Sequence, residues 1–231
     1  ALLANGIDVL GSSVLMSRPR GVVTDWVTDP HALVQVGSGT STEPLMRATQ
    51  VEAHPGLVVE GRLHQGLLPT EREDTRYEKR HAHTDVLVVG GGPTGLSAAL
   101  AAAEAGARVM LVDDHPRLGG QLAGEDLLVG DHGAMLWVAD IEQRLRAHAE
   151  VTILTRTTAF NAGDHGAVAL MERVTEHLPE DERKGRAFRR LWQVRAREVV
   201  VATGATERPL VFADNDRPGV MLAAGVRGYL H

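Results

Sequence analysis

The sequence contains no cysteine. This absence excludes disulfide bonds, thiolate ligation of an iron–sulfur cluster and a thiolate nucleophile within the 231 residues. It also excludes a thiol–disulfide flavoenzyme mechanism carried by this chain. We therefore predict a cytoplasmic protein, since proteins of that compartment do without disulfides.

Aromatic residues, long apolar runs and excess positive charge are scarce as well. Aromatic residues make up 3% of the chain and the formal net charge is -6, so we expect no nucleic-acid partner. No apolar run is long enough to span a bilayer, so we expect no membrane association. The apolar fraction of 43% is typical of a globular protein of one or two domains.

Both ends of the sequence indicate interrupted elements. The first residues resemble the last turns of a helix that stops at Gly6. Residues 221–230 resemble a helix that ends before its cap. We therefore expect an internal piece of a longer polypeptide.

The most informative stretch is a glycine-rich turn. It is preceded by a short apolar run at 85–89 and followed by residues 96–105, which are rich in Ala and Leu. The hydrophobic period changes across the glycines, as it does at the start of a β-α-β unit. Gly90 permits a tight turn, Gly92 lets the backbone approach a pyrophosphate, and Gly95 lets the helix pack close to the strand.

The helix that follows the turn indicates an anion site. Pro93 and Thr94 lie between Gly92 and Gly95 and are expected to contact the nucleotide. The backbone N–H groups of the helix's first turn would face the phosphates, with the positive end of the helix dipole behind them. A second apolar run at 107–112 ends in Asp113 and Asp114. The Asp113 carboxylate is placed to accept ribose hydroxyls and disfavours a 2′-phosphate, which predicts NAD or FAD rather than NADP.

Two further segments are expected around the nucleotide. The loop at Gly119, Gly120 and Gln121 would pass over the adenosine ribose and the pyrophosphate, although a plain loop after the second strand is the alternative. The apolar run at 198–201 ends in Ala202, Thr203 and Gly204, and a small-residue turn at such a strand end is where a nucleotide binds.

The remaining sequence is divided by its composition into three parts. Residues 1–60 form a first unit with β-type runs at 32–36 and 57–59, residues 61–84 are a mixed-charge connector, and residues 85–231 form the nucleotide domain. In the last part we predict a surface helix at 135–149 and further strands at 151–154, 167–170, 191–194 and 198–205. Arg18 and Arg20 indicate a solvated turn more than an anion contact, and His81 and His83 indicate solvated connector residues more than metal ligands.

The motifs together resemble known flavoproteins. GGGPTGL at 90–96, LVDD at 111–114 and LGGQ at 118–121 resemble the two-dinucleotide-binding-domain flavoproteins in general. A narrower resemblance, to the alpha subunits of heterotetrameric sarcosine oxidases, rests on ATGATERPLVF at 202–212, NDRPGVM at 215–221, SRPRG at 17–21, ALVQV at 32–36, EPLMRATQVE at 43–52, ERVTEHLP at 172–179 and RLWQVRA at 190–196. It extends over nearly the whole chain but would cover only the N-terminal portion of such a subunit.

The resemblance implies an α/β fold in which a Rossmann-like dinucleotide-binding domain, incomplete at its C-terminal end, follows a partial ferredoxin-like β-grasp module. Without cysteine, that module would be a scaffold lacking iron. The nucleotide implied is NAD, with FAD as the alternative, at Gly90, Gly92, Gly95, Asp113, Gly119, Gly120, Thr203 and Gly204.

The resemblance also implies partners and chemistry outside this chain. In the full enzyme, sarcosine is oxidised at FAD on the beta subunit, and electrons pass to FMN between alpha and beta and then to oxygen. Gamma and delta subunits complete the complex, and a folate-binding domain of alpha captures the one-carbon unit. No residue of this chain is implied as catalytic or as a metal ligand.

Two alternatives share the same motifs. One is a subunit of a related enzyme that acts on another amine, such as an opine or proline dehydrogenase or a cyanide-forming glycine dehydrogenase. The other is a non-catalytic nucleotide-binding module that serves assembly, which the lack of an acid–base pair near the glycines favours.

Overall fold

The computed structural model describes residues 2–26, 29–37, 42–62, 65–69, 75–124 and 126–230. Within these ranges the strands are β1 (Gly11–Ser12), β2 (Pro19–Arg20), β3 (Leu33–Val36), β4 (Glu43–Arg47), β5 (Val59–Gly61), β6 (Tyr77–Val89), β7 (Val109–Val112), β8 (Leu128–Val129), β9 (His132–Gly133), β10 (Val151–Leu154), β11 (Thr157–Ala162), β12 (Ala167–Arg173) and β13 (Arg189–Val201). The α-helices are α1 (Pro93–Glu104), α2 (Ala134–Ala147), α3 (Glu180–Arg183) and α4 (Ala223–Leu230).

The chain forms two compact units that each draw on separated segments. One comprises Ala1–Thr75, His177–Lys184 and Thr206–His231, and the other comprises Arg76–Glu176 and Gly185–Ala205. The first bound, at Thr75, falls inside the predicted connector 61–84. Residues 177–184 and 206–231, which the sequence prediction assigned to the nucleotide domain, cluster with the first unit. Part of the predicted connector, residues 63–64 and 70–74, lies outside the described residues.

The second unit is built on a six-stranded sheet in the order β10-β7-β6-β13-β12-β11. Strands β10, β7, β6 and β13 are parallel to one another. Strand β12 pairs antiparallel with β13, and β11 pairs antiparallel with β12. Parallel strands need crossover connections, and α1 provides one between β6 and β7 while α2 precedes β10. This is the predicted α/β arrangement.

Two apolar clusters hold the sheet of the second unit. Side chains of α1 and α2 pack on β6 and β7 in a cluster that includes Leu96, Leu111 and Leu145, each fully buried. The other cluster joins β6 and β7 to β12 and β13, with Leu87 and Leu170 fully buried. Strands covered on both faces are expected to be continuous apolar runs, and all four residues of β7 are buried.

Two strands differ from the sequence prediction. β6 begins at Tyr77 rather than at residue 85, and β13 is one strand where two were predicted. They pair in parallel along their length, with Glu78 opposite Arg190 in the register, and the two side chains form an ion pair of 2.9 Å. The charged residues that indicated a connector therefore stabilise the sheet through cross-strand pairs.

The first unit contains a three-stranded antiparallel sheet, in the order β4-β3-β5, and the short pair β1 and β2. Its small core includes Leu10, Val22 and Ala32. Arg18 and Arg20 both bind the carboxylate of Asp216, at 2.5 and 2.6 Å, so the arginines of the predicted solvated turn have carboxylate partners. Among the described residues, none of the helices is both long and apolar enough to cross a bilayer.

Candidate functional site

The candidate site lies where three parallel strands of the second unit end. Val89, Val112 and Val201 are neighbours in the register at the carboxyl ends of β6, β7 and β13. The backbone continues this alignment, because the N–H of Gly90 donates to the Val112 carbonyl at 2.8 Å and the N–H of Ala202 donates to the Val89 carbonyl at 2.8 Å. The sheet therefore brings the glycine turn, Asp113 and the Ala202 turn to one edge.

Two glycines of the turn are required by close backbone approach. Gly90 has a φ of +108°, and a Cβ there would lie 2.3 Å from the carbonyl oxygen of Ala202. A Cβ at Gly95 would lie 1.8 Å from the carbonyl oxygen of Gly90. Gly92 is different, because a Cβ there would meet no heavy atom of the described residues within 4 Å. The space beside Gly92 is thus open for a ligand.

Helix α1 presents its N-terminus at this open space. Gly92 is its N-cap and provides no side-chain hydrogen bond, and Pro93 occupies the first turn. Thr94 is exposed. The first N–H groups of a helix lack partners within it, so this terminus can bind a phosphate.

The loop after β7 packs on the glycine turn. The N–H of Gly119 donates to the carbonyl of Gly91 at 2.9 Å, and a Cβ at Gly120 would lie 3.1 Å from Cα of Gly92. The side-chain amide of Gln121 donates to the carbonyl of Ala205 at 3.3 Å, in the turn after β13. The loop therefore lies against both turns, as expected for a loop beside a bound dinucleotide.

Asp113 is bonded to the protein on both carboxylate oxygens. Oδ2 accepts the N–H of Gly91 at 2.5 Å, and Oδ1 accepts the N–H of His115 at 2.8 Å. The residue is only 7% exposed. Asp113 thus holds the glycine turn in place, and its predicted contact with a ribose stays a prediction.

Asp114 and His115 form the more accessible part of this corner. The His115 Nδ1 lies 3.0 Å from Asp114 Oδ1 and 3.2 Å from Asp113 Oδ1, and the side chain of Asp114 is 24% exposed. Burial of the imidazole lowers the pKa of His115, but hydrogen bonds to Asp113 and Asp114 outweigh burial and raise the pKa to about 9. His115 is therefore a cation at neutral pH.

Two residues of the site were not among those predicted. Gly91 is buried, and a Cβ there would lie 2.5 Å from Leu118 Cδ2 and 3.0 Å from Asp113 Oδ2. The run of three glycines was the signal that could have identified it. His115 could have been recognised as the first histidine after two aspartates at a strand end.

The small-residue turn after β13 lies beside the glycine turn as predicted. Thr203 and Gly204 are exposed, and Gly204 has a φ of +72°. Together with the open space at Gly92 and the α1 N-terminus, this geometry fits the pyrophosphate of a dinucleotide. Which of these residues contact the nucleotide stays a prediction.

Comparison with known families gives two matches. Residues 85–209 match the family described as FAD dependent oxidoreductase. Residues 1–63 match the 2Fe-2S iron-sulfur cluster binding domain. The first match covers more than half of the chain and contains the whole glycine-turn site.

Several relatives resemble this chain in sequence. The sarcosine oxidase alpha subunit from Corynebacterium sp. (strain U-96) is 42% identical over 237 residues, covering 100% of this chain and 24% of that protein. The Rhizobium meliloti (strain 1021) protein of the same name is 37% identical, covering 100% of this chain and 28% of the relative. An opine oxidase subunit from Agrobacterium tumefaciens (strain Ach5) is 30% identical over 62% of this chain and 28% of its own length. The predicted resemblance to sarcosine oxidase alpha subunits is confirmed, and the chain spans about a quarter of their length.

A solved structure supports the fold. L-proline dehydrogenase from P. horikoshii matches with a TM-score of 0.65 at 24% identity, covering 94% of this chain and 39% of that one. The predicted fold class, a dinucleotide-binding α/β domain preceded by a ferredoxin-like module without cysteine, is confirmed. By the extent of its family match, this chain belongs to the FAD dependent oxidoreductase family.

Proposed function

We propose that this chain is the dinucleotide-binding part of a sarcosine oxidase alpha subunit. It would contribute to flavin-dependent oxidative demethylation of sarcosine to glycine, with hydrogen peroxide as the second product and the one-carbon unit transferred to folate. The observation that carries the proposal is the extent of similarity: the sarcosine oxidase subunits match 100% of this chain, whereas the opine oxidase subunit matches 62%.

The site at the carboxyl ends of β6, β7 and β13 supports a nucleotide-binding role. We call its glycine turn, the N-terminus of α1 and the loop at Gly119 and Gly120 the cradle. The N-terminus of α1 would bind the pyrophosphate beside Gly92, and the loop at Gly119 and Gly120 would lie along it. Asp114 would accept the ribose hydroxyls, because Asp113 already bonds the backbone of Gly91 and His115. Asp113 would then position the turn.

The identity of the nucleotide is the finer part of the proposal. The family match supports FAD, and the sequence resemblance put NAD first. Both carry the ADP half that this cradle fits, and the carboxylates at Asp113 and Asp114 disfavour a 2′-phosphate. We therefore expect NADP to bind more weakly than NAD or FAD.

The protein's contribution to the chemistry would be binding and orientation. A flavin supplies the redox chemistry when bound. No residue that we place in the cradle has a catalytic role in the proposal. Through the family resemblance, the same proposal includes beta, gamma and delta partner subunits, and FMN and FAD in the full complex. It also includes a cytoplasmic location, which the absence of cysteine predicts.

The test is to purify the intact protein with its co-purifying partners, release the non-covalent nucleotides and identify them by mass. Hydrogen peroxide production is then measured with sarcosine, proline and an opine as substrates. Sarcosine should be turned over with the highest kcat/KM. Higher kcat/KM with an opine or proline would contradict the substrate assignment and leave the dinucleotide site intact.

The match to the opine oxidase subunit favours a second candidate, a subunit of a related amine-oxidising enzyme. The lack of an acid–base pair near the glycines favours a variant of the first proposal in which the nucleotide serves assembly. In that case Asp113→Ala, which loosens the glycine turn, lowers assembly or thermal stability, while turnover per assembled complex is unchanged. A proportional loss of turnover in intact complexes would count against it.

A further inference from the structure

A buried carboxylate in the first unit accepts four backbone hydrogen bonds. Oδ2 of Asp29 accepts the N–H groups of Val23 and Thr24 at 2.7 and 3.0 Å. Oδ1 accepts those of His31 and Ala32 at 2.9 and 2.6 Å. The Asp29 residue has no exposed surface, at 0%. Converging N–H groups of this kind form an anion-binding nest, a geometry also used at iron–sulfur sites.

The nest around Asp29 lies within the part of the chain that matches an iron–sulfur domain. Residues 1–63 match an iron–sulfur cluster-binding domain, and such domains use a C-x4-C-x2-C ligand spacing. The same spacing, centred on Asp29, falls on Thr24, Asp29 and Ala32. All three are buried, at 2%, 0% and 0% exposure, as cluster ligands would be.

A fourth residue reaches the same loop from the end of β4. The hydroxyl of Thr49 donates to the carbonyl of Trp26 at 2.5 Å. Thr49 lies in the 3₁₀ turn Ala48–Gln50. A cluster of this type has four ligands, and the contact with Trp26 makes Thr49 our candidate for the fourth position.

The residues present do not fit an iron–sulfur cluster, since none of the four positions is a cysteine. We propose that the Asp29 carboxylate replaces the cluster as the anion around which this loop is built. A carboxylate has two oxygens and about four acceptor sites, which matches the four N–H groups that point at it. The carboxylate would then take the place of the cluster, and the module would have neither a metal nor a redox role.

The first test measures amide hydrogen exchange in the intact protein. In Asp29→Ala, the N–H groups of Val23, Thr24, His31 and Ala32 lose their acceptor and should exchange roughly tenfold faster or more. In Asp29→Asn a single oxygen remains, so only one of the two pairs should be accelerated this strongly. Asp8→Asn, at an exposed carboxylate of the same unit, is the control. Unchanged exchange at all four amides in Asp29→Ala would overturn the proposal; if that variant does not fold, Asp29→Asn decides it.

The second test asks whether the positions can hold a cluster again. The variant carrying Thr24→Cys, Asp29→Cys, Ala32→Cys and Thr49→Cys is incubated with ferrous iron and sulfide under reducing, oxygen-free conditions. We expect one [2Fe–2S] cluster per chain, detected by visible absorption and by electron paramagnetic resonance after reduction. The matched variant that keeps Asp29 and changes the other three should bind none. Absence of a cluster in the four-cysteine variant, or equal iron in both, would overturn the assignment of these positions.

Discussion

Asp113 Oδ2 accepts a hydrogen bond from the backbone N–H of Gly91 at 2.5 Å. The residue that follows β7 is thereby bonded to the turn that follows β6. The other oxygen accepts the N–H of His115, so one carboxylate joins the glycine turn to the loop beside it. This linkage fixes two backbone segments that would flank a nucleotide, whether or not one is bound.

Asp113→Asn is expected to destabilise the protein in the absence of nucleotide. The amide side chain has one acceptor oxygen, so either Gly91 or His115 loses its bond, and a buried unsatisfied group costs about 1–3 kcal/mol. Chemical denaturation of the intact protein, stripped of nucleotide, measures the change in the free energy of unfolding.

Asp114→Asn is the matched control for that measurement. Its side chain is 24% exposed and pairs with His115 Nδ1 at 3.0 Å, so the free energy of unfolding should fall by about 1 kcal/mol or less, which is less than for Asp113→Asn. Nucleotide affinity should fall as well, since Asp114 is the proposed ribose contact. A larger loss of stability from Asp114→Asn than from Asp113→Asn would contradict the roles we assign to the two aspartates.

Gly92→Ala and Gly95→Ala are expected to separate binding from folding. A Cβ at Gly95 would overlap the Gly90 carbonyl oxygen at 1.8 Å, and such overpacking costs typically 1–3 kcal/mol. A Cβ at Gly92 meets no described protein atom within 4 Å, so stability should fall by about 1 kcal/mol or less. It would, however, project into the space assigned to the pyrophosphate. Isothermal titration with NAD and with FAD should show that Gly92→Ala loses more affinity for its loss of stability than Gly95→Ala does. The opposite result would contradict the proposed pyrophosphate site beside Gly92.

The sequence predicted those parts of the fold whose signal is local. The period change across the glycines predicted α1, although the helix begins at Pro93, three residues before the predicted range 96–105. The strand at 151–154 has its predicted bounds. The predicted strand for β6 was too short, and β13 was predicted as two strands. Charged residues such as Glu78 and Arg190 limit the apolar runs on which those predictions rest. In the structure these charges pair across the strands, and only the register brings them together.

The contacts of the candidate site were less predictable than its position. Asp113 was expected to face a ribose, which strand-end spacing suggests, but its bond to Gly91 depends on how closely two loops approach. The partners of Arg18 and Arg20 at Asp216 lie at the other end of the chain. Neither hydrophobic periodicity nor a local motif predicts pairs between residues this far apart in the sequence.

Stability is expected to depend on the protonation of His115. The pKa of His115 is raised to about 9 from 6.5, so the folded state holds this proton more tightly than the unfolded state does. The contribution is fully present below about pH 6.5 and is lost as pH rises through about 9. Because 39% of the side chain is exposed, we expect about 1 kcal/mol rather than the roughly 3 kcal/mol that the shift alone would give.

His115→Gln tests this contribution. The variant keeps a polar side chain but cannot be protonated, so the fall in unfolding free energy between pH 6.5 and pH 9.5 should be about 1 kcal/mol smaller than in the parent protein. Gln143→Asn, which exchanges one exposed, non-ionisable side chain of α2 for another, is the control and should retain the parent pH profile. Identical profiles for the parent and His115→Gln would show that His115 carries no such linkage.

Glu172 is expected to stabilise the charged part of the sheet more than a surface ion pair would. Its Oε2 accepts hydrogen bonds from Arg190 Nη1 at 2.8 Å and from Trp192 Nε1 at 2.7 Å, and the side chains of Glu172 and Arg190 are only 16% and 15% exposed. Glu172→Ala removes the acceptor of both donors, which should cost about 1–3 kcal/mol. Glu104→Ala removes an ion pair with Arg144 in which both side chains are about half exposed, and it should cost about 0.5 kcal/mol or less. Denaturation curves of the two variants decide the matter: equal losses would mean that the Glu172 contacts stabilise the sheet no more than a surface pair does.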